Sequence, residues 1–434
     1  MFKLLKNAFK VKEIRNKIYF TFFILFVFRL GAHITVPGVN AKSLEQVADL
    51  PFMSMFNIVS GSAMQNFSVF AMGVSPYITA SIVVQLLQMD IVPKFVEWSK
   101  QGEVGRRKLN QVTRYLTLVL GLVQSIGITA GFNQYVSLGL VQNPSVWSYI
   151  SIGVILTAGS MIVTWMGEQI TEKGFGNGVS MIIFAGIISG LPSAIKEIFE
   201  DHFINVDSSR IPISIVFIIV LIIAVIIIVT LTTFVQQAER KIPIQYTKRV
   251  SGAPTSSYLP LKVNAAGVIP VIFASSIIST PQAILQFFQE SRGNETWFKV
   301  MSEIFNYNTI VGGIFYAVLI IAFTFFYAFV QVNPEKMAEN LQKQGSYIPR
   351  VRPGKGTEEY VSHLLMRLST VGSIFLGLVA LLPIIAAAIW SLPKSIGLGG
   401  TSLLIVISVA LEAAKQLEGL MLKKKYVGFM DISE

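Results

Sequence analysis

Apolar residues in this chain do not alternate with polar ones. They run in long uninterrupted blocks, and the charged residues mark where each block ends. A membrane-crossing helix needs about 20 predominantly apolar residues, so the charge-free intervals can be read directly as spans. The first lies between Lys17 and Lys42 and is broken only by Arg29. The second, Phe67 to Leu87, is uncharged and long enough to cross, yet carries Ser, Thr, Gln and a Pro. Between Arg114 and Glu168 stand 53 uncharged residues, which predict a hairpin of two spans, roughly Tyr115 to Ala130 and Trp147 to Met166. Further intervals lie between Lys173 and Lys196, Arg210 and Glu239, Lys262 and Glu290, Glu303 and Glu335, Arg367 and Lys394, and Lys394 and Glu412. The pattern predicts ten spans. Ahead of the second, Phe52 to Gln65 is also uncharged but too rich in Gly, Ser and Asn for a comfortable crossing. Irregular backbone at membrane depth is tolerated only inside protein or against a wet cavity, so a segment dipping in at 52–65 implies such a cavity.

Composition agrees with this reading. Of 434 residues 53% are hydrophobic and 14% charged, well below the roughly 25% charged of a soluble domain. With ten spans and the N-terminus inside, 28 of the 35 basic residues fall on the inner side and six on the outer, with Arg29 within the first span. Nine of the 24 acids are outer, which leaves that side net negative. This bias predicts cytoplasmic termini, and entry of the 52–65 segment from outside. The basic stretch Lys3 to Lys17 leads into an apolar run without a small-x-small cleavage site, so it reads as a cytosolic segment and not a signal peptide. Its lysines suit anionic lipid or a partner subunit.

The candidate chemistry narrows the function by what it omits. There is no cysteine, and the three histidines are far apart. Ion-coupled carriers keep ionisable groups at mid-depth, whereas Arg29 alone is clearly intramembrane here and reads as a snorkelling or bundle-facing arginine. Gly174-Phe-Gly-Asn-Gly lacks the Lys-Ser/Thr pair and flanking strand of a phosphate loop. It predicts a tight turn that starts a helix, with Asn177 or Ser180 as cap. Two basic inner loops stand out. In 236–264 the alternation Ile242, Ile244, Tyr246 suggests an extended hairpin arm. In 331–365, Pro349 and Pro353 bar a regular helix around Ile348-Pro-Arg-Val-Arg-Pro-Gly. Such loops serve as topological anchors, or as docking arms for an acidic macromolecule such as rRNA or a motor's acidic face. Uncharged polar residues, among them Thr79, Gln85, Gln124, Ser275 and Thr280, suit helix–helix hydrogen bonds of about 1 kcal/mol or less. With Pro270 and Pro281 as bends, they equally suit a seam that opens sideways.

Several of these motifs together resemble the bacterial SecY family over essentially residues 1–430. They are Pro37-Gly-Val, Gly73-Val-Ser-Pro-Tyr-Ile-Thr-Ala-Ser-Ile, Gly174-Phe-Gly-Asn-Gly-Val-Ser, Ala266-Gly-Val-Ile-Pro-Val-Ile-Phe-Ala-Ser-Ser, Ile348-Pro-Arg-Val-Arg-Pro-Gly and Gly400-Thr-Ser-Leu-Leu-Ile-Val. The resemblance implies an all-α polytopic membrane protein of the bacterial plasma membrane. Its ten transmembrane helices form two pseudo-symmetric halves, 1–200 and 201–434, around an hourglass pore with a re-entrant plug at 52–65. It implies a protein-conducting channel and not an enzyme, without cofactor or metal, that translocates unfolded polypeptides and releases membrane segments sideways into lipid. Matched motif by motif, the pore ring is Val74, Ile78, Ile183, Ile187, Ile272 and Ile405, and the pairs 74/78 and 183/187 each share a helix face by their spacing. The plug holds Phe56, Gly61 and Ser62. The lateral gate falls between spans two–three and seven–eight, with Thr79, Gln85, Gln124, Ser275 and Thr280 as its candidate seam residues. The implied partners are SecE and SecG, the SecA ATPase or the ribosome with its rRNA, signal peptides and nascent chains, and anionic lipids. Arg249 and Arg352 are the docking candidates on the two basic loops, because guanidinium reaches carboxylate or phosphate with two parallel bonds. Two alternatives differ in kind. A small-solute secondary transporter would need a polar midplane site, and a non-conducting scaffold would leave 52–65 without purpose.

Overall fold

The computed structural model describes residues 8–40, 60, 63–89, 91–135, 139–204, 211–246, 256–293, 295–306, 309–390 and 399–430. Among them, one helix falls in each of the ten apolar intervals. These are α1 (Lys12–Gly31), α2 (Ser75–Leu87), α4 (Glu103–Tyr135), α5 (Val146–Lys173), α6 (Gly178–Phe199), α7 (Ile211–Gln237), α8 (Ile269–Arg292), α10 (Ile310–Gln331), α12 (Lys355–Trp390) and α13 (Gly399–Met430). Three shorter helices connect them: α3 (Pro93–Lys100), α9 (Thr296–Ile304) and α11 (Pro334–Lys343). By length and composition alone, α4, α5, α7, α10 and α12 can each cross a membrane, while α2 and the apolar parts of α6 and α8 are shorter. The apolar surface of α7 is mostly exposed, including Ile213, Val216, Ile219, Ile222 and Ile226. A face of that kind is stable only against lipid or another protein.

The helices overrun the charge-free intervals on the basic side. The α4 helix begins twelve residues before Tyr115, and α12 begins at Lys355, inside the 331–365 loop, which also holds α11. Charges end the lipid-immersed stretch, but nothing obliges the hydrogen-bond ladder to stop with it. The second span departs in the opposite direction. Helix occupies only Ser75–Leu87, where Pro76 suits the first turn, and 63–74 is a chain of turns. Arg29 lies in the last turn of α1. There it faces the end of the helix dipole that favours cations.

The turns at 63–74 are held from outside. The Val36 amide donates to the Phe67 carbonyl (3.1 Å), the Val69 amide to Ile34 (2.9 Å), and Ser160 Oγ of α5 to the Gly73 carbonyl (2.8 Å). Phe67 has a left-handed φ of 40°, and its ring is fully buried, edge-on to Phe132 of α4. The predicted arm is a β-hairpin. Strand β1 (Glu239–Tyr246) pairs antiparallel with β2 (Ser256–Lys262), from Glu239 opposite Lys262 to Gln245 opposite Ser256. Its alternation buries Ile242 and Ile244, and Ile242 packs against Leu261, Ile348 and Val361. A two-residue strand from the other basic loop, β3 (Ser346–Tyr347), pairs with the far edge of β1 at Gln245 and Tyr246.

The main apolar core joins α1, α2, α6, α8, α10, α12 and α13. A second core surrounds Phe67, Met72, Phe132 and Leu156. Between these regions α5 lies so close to the turns that a Cβ on Gly159 would stand 1.9 Å from the Val69 carbonyl oxygen, whereas Gly377 of α12 has open space at the equivalent point. We expect Gly159→Ala to cost about 1–3 kcal/mol through forced backbone shifts. Gly377→Ala should be neutral or stabilising by up to about 1 kcal/mol through helix propensity. Thermal unfolding of the two purified variants against the parent measures this.

Candidate functional site

A cavity of about 790 Å³ opens among the basic-side ends of α2, α4, α5 and α6, and is bounded by α8 and by Tyr327 of α10. Its wall is polar near the basic side, with Gln85, Arg106, Asn110, Arg114, Glu168 and Glu172, and apolar where Ile78, Ile183 and Ile272 reach it. Those three are isoleucines of the expected ring. All six ring positions, Val74, Ile78, Ile183, Ile187, Ile272 and Ile405, are buried in one contiguous apolar cluster. They come from α2, α6, α8 and α13. The wall of the cavity thus includes branched aliphatic side chains, which offer nothing to an ion.

One charged contact crosses the cavity wall. Arg114 of α4 donates from Nε to Glu168 Oε1 (3.1 Å) and from Nη2 to Oε2 (2.5 Å) of α5. The two parallel bonds are the strong geometry for this pair, and both side chains keep part of their surface in solvent. The sequence carries a signal for this pair. Arg114 and Glu168 stand at the two feet of an otherwise uncharged hairpin, so folding it antiparallel brings them side by side.

The Gly174–Gly178 turn sits at the rim. Asn177 Oδ1 accepts from the Ser180 amide at 3.3 Å, as the capping expectation requires. Gly176 takes φ 84°, a conformation glycine reaches without steric cost. Three amides of the turn are accepted from three other helices: Phe175 by Thr21 Oγ1 of α1, Gly178 by Thr171 Oγ1 of α5, and Gly176 by Gln416 Oε1 of α13. Nothing in the sequence points to Gln416.

The seam candidates separate into two groups. Gln124 Nε2 of α4 donates to Thr280 Oγ1 of α8 at 3.1 Å, and Thr280 in turn donates to the Ser276 carbonyl. The side-chain oxygen of Gln124, Oε1, is buried without a hydrogen-bond partner among the described residues. Ser275 bridges α8 to Tyr316 of α10 (3.1 Å). Thr79 and Gln85 instead bond within α2, to the Ser75 carbonyl and to Ser81 Oγ, and Gln85 faces the cavity. Arg352 is exposed in the turn before α12, with its carbonyl accepting from Thr357. Phe56, Gly61, Ser62 and Arg249 lie outside the described residues. Among the described residues no cluster of His, Asp or Glu could hold a metal ion.

The sequence profile of the SecY family matches residues 68–414. The chain is 70% identical to the protein translocase subunit SecY of Lactococcus lactis subsp. cremoris over 431 residues, covering 99% of this chain and 98% of that one. This chain belongs to the SecY family. Its fold matches that of a solved protein conducting channel at 17% identity, over 93% of this chain and 91% of that one, with a TM-score of 0.63. It also matches a SecY channel whose plug domain stabilises the closed state and maintains a membrane seal (18% identity, 93% and 91% covered, TM-score 0.61). At these identities the likeness is one of fold. The SecY-family fold is that of an all-α, multi-pass protein of the bacterial membrane, and here the small sheet lies outside the apolar helices.

The Gln124–Thr280 bond is the direct polar tie across the α4–α8 seam among the described residues. We expect cysteines placed at 124 and 280 of this cysteine-free chain to be joined by a short bifunctional thiol reagent in the resting complex. Cysteines at 85 and 280 should not be. Gel mobility after limited proteolysis between α4 and α8 reads the result.

Proposed function

We propose that the aliphatic cluster at the end of the cavity is the seal of a protein-conducting channel, and that the α4–α8 seam is its lateral gate. As a SecY-family chain the protein is a channel and not an enzyme: it conducts polypeptide and performs no chemistry on it. The observation that supports the reading is a cavity walled jointly by polar side chains and by Ile78, Ile183 and Ile272, which belong to the same buried apolar cluster as Val74, Ile187 and Ile405. Contacts between aliphatic side chains and a passing chain are dispersive and indifferent to sequence. The same side chains close on one another when the chain has left, and a short dry constriction leaves an ion nowhere to bind.

The finer architecture we propose is ten spans in two pseudo-symmetric halves, 1–200 and 201–434, with both termini cytoplasmic and the plug at 52–65. The charge bias supports the orientation. A division between α6 and α7 supports the halves, since five of the ten long helices lie on either side of it. Sideways release suits an apolar signal sequence or nascent span, which gains favourable transfer free energy on leaving water for lipid. Opening the seam breaks one Gln–Thr bond worth about 1 kcal/mol or less. It also frees a buried Gln124 oxygen whose lack of a partner costs about 1–3 kcal/mol in the closed form. By these magnitudes the polar groups give closure no net support, and apolar packing of α2 and α4 on α8 does the holding.

Energy has to come from elsewhere, because the sequence holds no nucleotide loop. We place the SecA motor or the ribosome on the two basic loops, with SecE and SecG as membrane partners. Strand β3 supports a common platform, since it joins the second loop to the first. Arg352 is exposed on that platform and Arg249 belongs to the first loop.

Two measurements test the assignment. Replacing Ile78, Ile183 and Ile405 together by Ser should raise resting ion conductance of the purified complex in planar bilayers several-fold; unchanged conductance would remove the ring from this site. Arg352→Glu should leave membrane insertion intact and abolish most SecA-driven translocation into vesicles with matched amounts of channel. Full translocation with parental SecA affinity would defeat the docking assignment.

A further inference from the structure

Helix α9 joins the gate helix α8 to α10 and carries three distinct faces. Phe298 is buried and, with half-buried Ser302 and Phe305, packs toward α8 and α10. Lys299 and Glu303, spaced by four, form a charged stripe, and the carboxylate of Glu295, just before the helix, accepts from Trp297 Nε1. On the helical wheel the opposite stripe is Trp297, Val300, Met301 and Ile304, with the i, i+3, i+4, i+7 spacing of a single face. Trp297 is 43% exposed, Val300 48% and Met301 44%.

This orientation is imposed by the protein. Thr309 Oγ1 lies 2.7 Å from the carbonyl oxygens of Glu303 and Asn306, and accepts from the Gly312 amide at 3.0 Å. The connection packs so tightly that a Cβ on Gly312 would stand 2.0 Å from the Asn306 oxygen. Phe305 meets Phe315 of α10 edge-on at 5.8 Å. The helix cannot roll to hide Val300 and Met301. Immediately beyond it α10 presents Ile310, 84% exposed, with Val311 and Ile314, which belong to the lipid-facing surface of a spanning helix.

We propose that α9 is an interfacial helix whose Trp297–Val300–Met301 stripe is seated in the phospholipid bilayer at its boundary with water. Continuity with the lipid-facing start of α10 supplies the apolar cover, and the charged stripe on the far side meets water and headgroups. A helix of this kind lies in the interface plane with its apolar face buried about 5–10 Å into the headgroup–acyl boundary, and Trp is favoured at that depth. Helix α8, which carries Thr280, ends four residues before α9 starts. The float therefore ties the moving half of the gate to the membrane surface.

The inference rests on α8 and α10 being membrane-spanning, and not on conduction, so failure of the channel reading would leave it standing. Single cysteines at 299, 300, 301 and 303 of the cysteine-free full complex, spin-labelled in phosphatidylglycerol–phosphatidylethanolamine vesicles, test it. Labels at 300 and 301 should relax several-fold more with oxygen than with a water-soluble nickel chelate, and labels at 299 and 303 should show the reverse. Equal nickel accessibility of both stripes would overturn the proposal. So would labels at 300 and 301 shielded from both oxygen and nickel, in vesicles and detergent alike, because a protein segment would then cover the stripe. To read the functional coupling, Val300→Asp with Met301→Asp should lower export several-fold at normal chain levels, and Val300→Leu with Met301→Leu should restore it. Export unaffected by the charged pair would overturn the tie to the gate.

Discussion

A peptide group placed deep in an apolar region has no water to bond, and each one left unsatisfied costs several kcal/mol. This constraint explains more of the molecule than any single contact. Helices meet it without help. The interesting places are those where the chain stops being helical among the spans, since every amide and carbonyl released there needs a named partner. At 63–74 the partners are the backbone of residues 34–36 and the hydroxyl of Ser160. At 174–178 they are the side chains of Thr21, Thr171, Asn177 and Gln416. Both irregular stretches adjoin ring residues, Val74 in one case and Ile183 in the other. The backbone satisfaction that permits the irregularity also fixes where these two residues of the proposed seal stand.

The seal and the lateral gate proposed above would rest on opposite principles. The ring positions are buried and aliphatic, with no polar atom to be left unpaired when they part. The seam carries polar groups whose accounts barely balance: one bond between Gln124 and Thr280, and one buried oxygen with no partner. Pro281 follows Thr280 directly and removes a donor from the ladder of α8 at that level. A closed state held mainly by dispersion and weakly by hydrogen bonds can be displaced by any sufficiently apolar helix. It needs no specific recognition sequence to do so.

Much of the architecture was legible because the bilayer imposes a single length scale. Each charge-free interval holds a helix among the described residues, five of them long and apolar enough to cross a membrane, and Ile242, Ile244 and Tyr246 located the hairpin arm. The limits of the helices were less legible: Lys355 begins α12 well inside the basic loop, because hydrogen-bond ladders ignore the water boundary that charges mark. Span two misled in the other direction, since 67–74 is as apolar as a helix yet is turned by its contacts with 34–36 and α5. Within the seam, residue type identified Gln124 and Thr280 but could not separate them from Thr79 and Gln85, whose side chains bond inside α2. Helix rotation decides that, and rotation is set by packing partners distant in sequence. Gln416 left no sequence signal, because a glutamine near a helix end is ordinary until a free amide is found opposite it.

The two-residue strand β3 is small, but it welds two loops that leave the membrane from different helix pairs. The first loop runs from α7 to α8, and the second from α10 to α12. With Gln245 opposite Tyr347 and the Tyr347 hydroxyl donating to Gln245 Oε1, the loops form one stiff bracket across the second half of the chain. A load applied at either tip is then shared by all four helices. Helix α8, which holds Thr280 and Ile272, is therefore not loaded through its own loop alone.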